Sequence, residues 1–126
     1  MRLYRSAKCG VLAELISSKD TELECCGEAM EALKPGTTDA AVEKHVPAVT
    51  VDGNRVLVQV GSVAHPMTKE HYIQFILVKA GALTLRKDLT PEDEPKAVFS
   101  LGDYHGPIEV YEYCNLHGLW KADAAV

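Results

Sequence analysis

The stretch Ala48-Val49-Thr50-Val51-Asp52-Gly53-Asn54-Arg55-Val56-Leu57-Val58-Gln59-Val60 decides the fold. Two β-rich runs, Ala48 to Val51 and Arg55 to Val60, flank Asp52-Gly53-Asn54, a short Gly-containing turn of the kind that joins hairpin strands. The segment reads as a β-hairpin. Working outward, further strand candidates are Tyr72 to Ala80, Leu83 to Arg86, Ala97 to Leu101 and Ile108 to Tyr113, each bounded by Gly, Pro or charged turn residues. Short strands at near-regular spacing predict an all-β protein built as a β-sandwich.

Upstream of the hairpin, Thr38 to Glu43 is expected to form a short helix with Thr38 or Asp39 as N-cap, and Pro47 ends any such run. Residues 1 to 36 are rich in charge and cysteine and close at Pro35-Gly36, a strong punctuation signal. They read as a separate N-terminal segment ahead of a principal domain over 37–126. Thr90 to Pro95 reads as a solvated loop whose acidity reflects exposure.

A chain of 126 residues has room for one principal core and a modest appendage. The 47% hydrophobic and 25% charged fractions are those of an ordinary globular protein, which excludes a disordered or fibrous chain. The net charge of -5 argues against a general nucleic-acid binder, because phosphate affinity rests on clustered Lys and Arg. No run approaches the roughly 20 apolar residues that span a bilayer, and Met1 to Ser6 lacks the apolar core of a signal peptide. The expectation is a cytoplasmic protein without membrane attachment. In a reducing compartment, Cys9, Cys25, Cys26 and Cys114 point to metal binding or redox work before disulfides.

All the histidines, His45, His65, His71, His105 and His117, lie in the second part of the chain, and Cys114 precedes His117 by a Cys-x-x-His step. That step lets one loop deliver a thiolate and an imidazole to the same ion. His65 and His71 add two imidazoles across a turn, with Pro66 opposing a regular helix between them. His45, in Glu43-Lys44-His45-Val46-Pro47, would come from a third loop. His105, in Asp103-Tyr104-His105-Gly106-Pro107, has no ligand-like companion and reads as a surface-turn residue, and Met67 reads as packing.

Four imidazoles and a thiolate exceed the four ligands of a closed structural zinc site, whereas a catalytic metal keeps a position open. Five donors and one open position suit octahedral-like iron. Ferrous iron with neutral imidazoles and one thiolate carries about one positive formal charge, which draws in a small anion. The thiolate pushes electron density onto the iron, as in thiolate-ligated haems. Both features favour reductive chemistry.

Three motifs in order, Glu43-Lys44-His45-Val46-Pro47, His65-Pro66-Met67 through His71-Tyr72-Ile73-Gln74, and Cys114-Asn115-Leu116-His117-Gly118-Leu119-Trp120-Lys121, resemble the superoxide reductases of the desulfoferrodoxin and neelaredoxin family. The resemblance implies an immunoglobulin-like seven-stranded β-sandwich with one iron per chain. It makes His45, His65, His71 and His117 equatorial ligands and Cys114 the axial one. The sixth position then receives superoxide, which is reduced to hydrogen peroxide. It makes Glu43 a ligand of the oxidised resting iron, displaced on reduction, and Lys44 the cation that attracts superoxide and orients a proton-donating water. A rubredoxin-like carrier is the implied electron donor, and a homodimer or homotetramer the implied assembly. Trp120 and Phe75 are expected to pack around the site.

Residues 1–36 resemble the small rubredoxin-like iron domain of the same family, in which a Cys-x-x-Cys pair and a later adjacent Cys pair hold a second iron. Leu12 stands where the second cysteine of the first pair would be. With only Cys9, Cys25 and Cys26 to offer, the segment is expected to be a structural remnant without that second iron.

Two other classes compete. A blue-copper electron-transfer sandwich would use Cys114 and two histidines with a weak axial Met, but no Met follows Cys114 and two histidines are left over. A zinc-stabilised interaction domain would use Cys114 and three histidines, leaving one unexplained.

Overall fold

The structure is a computed structural model and describes residues 1–17 and 22–126. The chain divides into two compact units, Met1–Lys34 and Pro35–Val126.

In the first unit, β1 (Leu3–Arg5) pairs antiparallel with β2 (Leu12–Glu14). A second ladder joins β3 (Glu24–Cys25) to β4 (Glu28–Ala29), and β5 (Glu31–Ala32) pairs with the other edge of β1. The β1–β2 connection is a tight turn that carries Cys9, closed by Gly10 N–H donating to the Ser6 carbonyl at 2.8 Å and Ser6 N–H to the Val11 carbonyl at 2.9 Å. Cys26 and Gly27 form the two-residue β3–β4 turn with φ of 57° and 75°. Positive φ at both central residues is what a type I′ hairpin turn requires.

The second unit opens with α1 (Val42–His45), followed by β6 (Pro47–Asp52), β7 (Arg55–Val60), β8 (Ile73–Ala80), β9 (Leu83–Asp88), β10 (Lys96–Ser100), β11 (Pro107–Cys114) and β12 (Gly118–Ala125). Two antiparallel sheets, ordered β10-β7-β6 and β12-β11-β8-β9, make the expected seven-stranded β-sandwich. The hairpin turn falls where expected, with Asp52 paired to Arg55 and Gly53 at φ 60°.

The core follows from the pleat. In β7, Val56, Val58 and Val60 point inward while Arg55, Leu57 and Gln59 point out, and in β10 Ala97 and Phe99 do the same. They meet Ile76, Val78, Ile108 and Val110 of the other sheet in one buried cluster. Each such Val, Ile or Phe side chain taken from water contributes about 1.5–3 kcal/mol, against which chain entropy is set. The inner strands β8 and β11 are buried almost along their whole length.

Two expectations need correction. Neither Thr38 nor Asp39 caps a helix: α1 is a single turn whose N-cap is Ala41, which makes no side-chain capping bond. A turn this short has little intrinsic stability, and its position is set by packing instead. The last strand, β12, was not foreseen, because Lys121-Ala122-Asp123-Ala124-Ala125 has low β propensity. Pairing along the whole length of β11, from Pro107–Ala125 to Cys114–Gly118, decides it.

Candidate metal centre

Register places the site at one end of the sandwich. Pro47 at the start of β6 pairs with Val60 at the end of β7, and Ile73 at the start of β8 pairs with Cys114 at the end of β11. Loops leaving these strand ends carry the candidate donors. His45 closes α1 just before β6, His65 and His71 lie on the β7–β8 connection, and His117 lies in the β11–β12 turn.

The structure brings five of the predicted residues together: His45, His65, His71, Cys114 and His117 each offer one donor atom, all within 4.8 Å of one another. The imidazoles form a square. Neighbouring ring centroids stand 4.7 Å (His45–His65), 4.5 Å (His65–His71), 4.9 Å (His71–His117) and 4.8 Å (His117–His45) apart, each pair close to perpendicular. The His45–His71 diagonal is 6.4 Å. His65 Nε2 lies 3.2 Å and His117 Nδ1 3.0 Å from His45 Nε2. Cys114 Sγ lies 3.5 Å from His65 Nε2 and 3.9 Å from His117 Nδ1.

Tautomers are fixed from outside the square. His45 Nδ1–H donates to the Ala41 carbonyl at 2.7 Å, and His65 Nδ1–H to the Pro66 carbonyl at 2.7 Å. Each Nε2 is then a bare acceptor, aimed at another acceptor about 3 Å away. Burial holds His45, His65 and His71 below the usual histidine range, His65 down to about 4. Burial pushes the Cys114 thiol up, partly offset by N–H groups of His117 and Leu116.

Other contacts hold the donors in place. Trp120 stacks on His45 with ring centroids 5.1 Å apart, and its indole N–H donates to the His117 carbonyl at 3.0 Å. Thr68 N–H donates to the His71 carbonyl at 2.9 Å, and His71 N–H to Thr68 Oγ1 at 3.1 Å. Phe75 does not join this shell: it stacks on Tyr113 at 5.9 Å, opposite it in the ladder and on the alternate face from Ile76. His105 is exposed in the loop before β11, and Met67 packs against the core, its sulfur accepting Ile73 N–H at 3.4 Å.

Glu43 and Lys44 are exposed on α1 beside His45. Neither belongs to the converging donor set among the described residues, but the Lys44 charge is felt at both His45 and His71. Their loop rests on Gly61, where a Cβ would stand 2.6 Å from the Glu43 carbonyl oxygen and 2.9 Å from both the Lys44 carbonyl carbon and the Val46 oxygen. Val63 N–H and Ser62 Oγ donate to the same Glu43 carbonyl at 3.0 and 3.2 Å.

Three contributors escaped the sequence. Asn115 accepts Tyr72 N–H at 2.9 Å and donates through Nδ2 to the Glu70 carbonyl at 2.9 Å, tying the His71 loop to the Cys114 turn. Gly61 is the second. The third, Glu112, is fully buried on the core face of β11 between Ile76 and Trp120 across the ladder. Its carboxyl has no hydrogen-bond partner among the described residues, and burial pushes it up to about 9, so it is a neutral acid at neutral pH. The alternation Ile108-Glu109-Val110-Tyr111-Glu112 was the available signal for its inward placement.

The desulfoferrodoxin family model matches residues 37–123. The chain belongs to the desulfoferrodoxin family. The desulfoferrodoxin of Syntrophotalea carbinolica is 44% identical over 123 residues, covering 98% of this chain and 96% of that protein. The superoxide reductase of Thermococcus kodakarensis is 31% identical over 101 residues, covering 67% and 88%. Among solved structures, the superoxide reductase from Treponema pallidum matches with a TM-score of 0.75 at 39% identity, covering 95% of this chain and 98% of that one.

The donor set fits the iron expected of a desulfoferrodoxin. His71 Nε2 is buried without a hydrogen-bond partner among the described residues, and the His45 and His65 acceptors face each other, which a cation between them would resolve. For metal–imidazole bonds of about 2.1 Å, right-angle neighbours stand about 3.0 Å apart. The two nitrogen separations around His45 match that spacing. In the first unit, Cys9, Cys25 and Cys26 form a separate group of three thiols.

Proposed function

We propose that this chain is a superoxide reductase, an oxidoreductase that passes one electron to superoxide and yields hydrogen peroxide. The observation that carries the reading is the square of four imidazoles joined by one buried thiol, with the Glu43-Lys44 turn beside it. His45, His65, His71, His117 and Cys114 would hold the iron. When bound, iron supplies the one-electron couple.

The remaining steps belong to the protein. Ala41 and Pro66 carbonyls keep His45 and His65 in the tautomer that presents Nε2, and low imidazole pKa values keep those nitrogens unprotonated near neutrality. Trp120 covers one face of His45 and excludes water there. Lys44 supplies the exposed positive charge that draws in superoxide and orients the water that delivers a proton. Glu43 would offer its carboxylate to the oxidised iron, its backbone held by Ser62 and Val63.

In the same reading residues 37–126 are the catalytic domain and residues 1–36 a remnant of the family's small iron domain. The division at Lys34 and Pro35 and the family match over 37–123 support this. The electron donor is a rubredoxin-like carrier and the protein a homo-oligomer, both on the strength of the resemblance. No helix among the described residues is long and apolar enough to cross a membrane.

Metal content of freshly purified protein tests the reading. About one iron per chain, lost on Cys114→Ser, is expected. Stoichiometric zinc or copper in its place would overturn the assignment.

A further inference from the structure

The three thiols of the first unit are not used by the proposed chemistry. Cys9 Sγ and Cys25 Sγ, from two different turns, approach to 3.3 Å, and Cys25 Sγ and Cys26 Sγ to 3.7 Å. Cys9 is exposed and Cys25 half-buried, so an attacking species reaches Cys9 more readily than Cys25. The buried Ser6 hydroxyl lies 3.2 Å from Cys9 Sγ and also accepts Cys9 N–H at 3.2 Å, which fixes the thiol over the turn.

We propose that Cys9 and Cys25 form a peroxide-reactive dithiol, in which Cys9 attacks hydrogen peroxide and Cys25 resolves the product as a Cys9–Cys25 disulfide. A reactive thiol of this kind is exposed, stabilised as thiolate and placed beside a resolving cysteine. Cys9 meets all three conditions: the Ser6 hydroxyl and the Val11 N–H lower its pKa to about 7, while Cys26, facing Cys9 and Cys25, is pushed up to about 11 and stays a thiol. The choice of Cys25 over Cys26 as partner follows from the 3.3 Å approach of the Cys9 and Cys25 sulfurs and from Cys26 lying in the left-handed turn.

The chemistry balances. The Cys9 thiolate forms an S–O bond as the peroxide O–O bond breaks, which leaves a sulfenic acid and a hydroxide. That hydroxide takes the Cys25 proton and becomes water. The Cys25 thiolate then attacks the Cys9 sulfur, the S–S bond forms, and the S–O bond breaks. The second hydroxide becomes water with the proton Cys9 had given to solvent. Two thiols lose two electrons, and one hydrogen peroxide becomes two waters. The proposed reductase activity would supply the peroxide, and for that source alone the inference rests on the preceding reading.

The test uses added hydrogen peroxide on the full chain, reduced and desalted, so it does not depend on that activity. After oxidation, alkylation and trypsin, which leaves the Lys34–Pro35 bond intact, Cys9 lies in peptide 9–19 and Cys25 and Cys26 in peptide 20–44. Peroxide should link the two peptides, with dithiothreitol separating them again. Cys9→Ser should slow peroxide consumption of the Cys25 thiol by at least about tenfold. The double variant Cys25→Ser, Cys26→Ser should instead accumulate a Cys9 sulfenic acid that dimedone traps. Cys9 left free while Cys25 and Cys26 join within one peptide, or no loss of thiol, would overturn the proposal.

Discussion

Asn115 and Tyr72 exchange two hydrogen bonds across the end of the sandwich: Tyr72 N–H donates to Asn115 Oδ1 at 2.9 Å, and Asn115 N–H donates to the Tyr72 carbonyl at 3.2 Å. With the further bond from Asn115 Nδ2 to Glu70, the loop that carries His71 is fastened to the turn between Cys114 and His117. Two sides of the donor square therefore depend on a residue that donates nothing to it.

Asn115→Ala should leave the sandwich folded but loosen that fastening. Loss of a group that orients metal ligands typically costs 10–100-fold in affinity, and about tenfold weaker iron retention in a chelator competition is expected. Asn115→Asp, which keeps the Oδ1 acceptor and loses the Nδ2 donor, should lose less. Equal retention by all three proteins would contradict the positioning role.

Gly61→Ala should be costly for a different reason. Its Cβ would press on the backbone of Glu43, Lys44 and Val46 at 2.6–2.9 Å, and backbone cannot rotate aside as a side chain does. Overpacking of this kind destabilises by about 1–3 kcal/mol. Thermal unfolding should show that loss, and iron content should fall with it because His45 is carried on the displaced turn.

Lys44→Ala should lower the second-order rate constant with superoxide by about tenfold at low salt and flatten its dependence on ionic strength, as expected for loss of electrostatic steering. Stopped-flow traces over a salt series check both. An unchanged rate removes Lys44 from the mechanism.

Cys9 should be the thiol of the first unit that alkylates fastest near neutrality. Only the thiolate reacts, so its rate should fall as pH drops through about 7, to about a tenth of the plateau one unit below. Cys26, pushed up to about 11, should not reach its plateau below that pH. Peptide-resolved labelling with iodoacetamide follows each site, and Ser6→Ala should move the Cys9 midpoint upward.

Much of this architecture was legible in local signals. Asp52-Gly53-Asn54 marks a hairpin because a tight turn needs a residue at positive φ, and six of the seven sandwich strands carry enough β-rich sequence to be recognised. Cys114 and His117, and His65 and His71, announce themselves by residue type and spacing, Glu43 and Lys44 only through the family resemblance, and the fold brings the four imidazoles and the thiol within reach of one ion.

What escaped depends on partners distant in sequence. β12 exists because β11 offers it a full ladder, α1 stays in place because Gly61 admits its backbone, and Asn115 acts on residues more than 40 positions away. Phe75 was misplaced because pleat direction, reset by the irregular register beside Cys114, turns it toward Tyr113. None of these features has a local composition signal.

The most direct measurement is the product balance when the iron-loaded, pre-reduced protein meets a limited pulse of superoxide. With Cys9, Cys25 and Cys26 replaced by Ser so that no first-unit thiol consumes the product, one hydrogen peroxide per superoxide, no dioxygen, and one superoxide consumed per chain before an added electron donor is needed are predicted. Release of one dioxygen for every two superoxide ions would show dismutation and contradict the account, as would superoxide decaying no faster than in buffer.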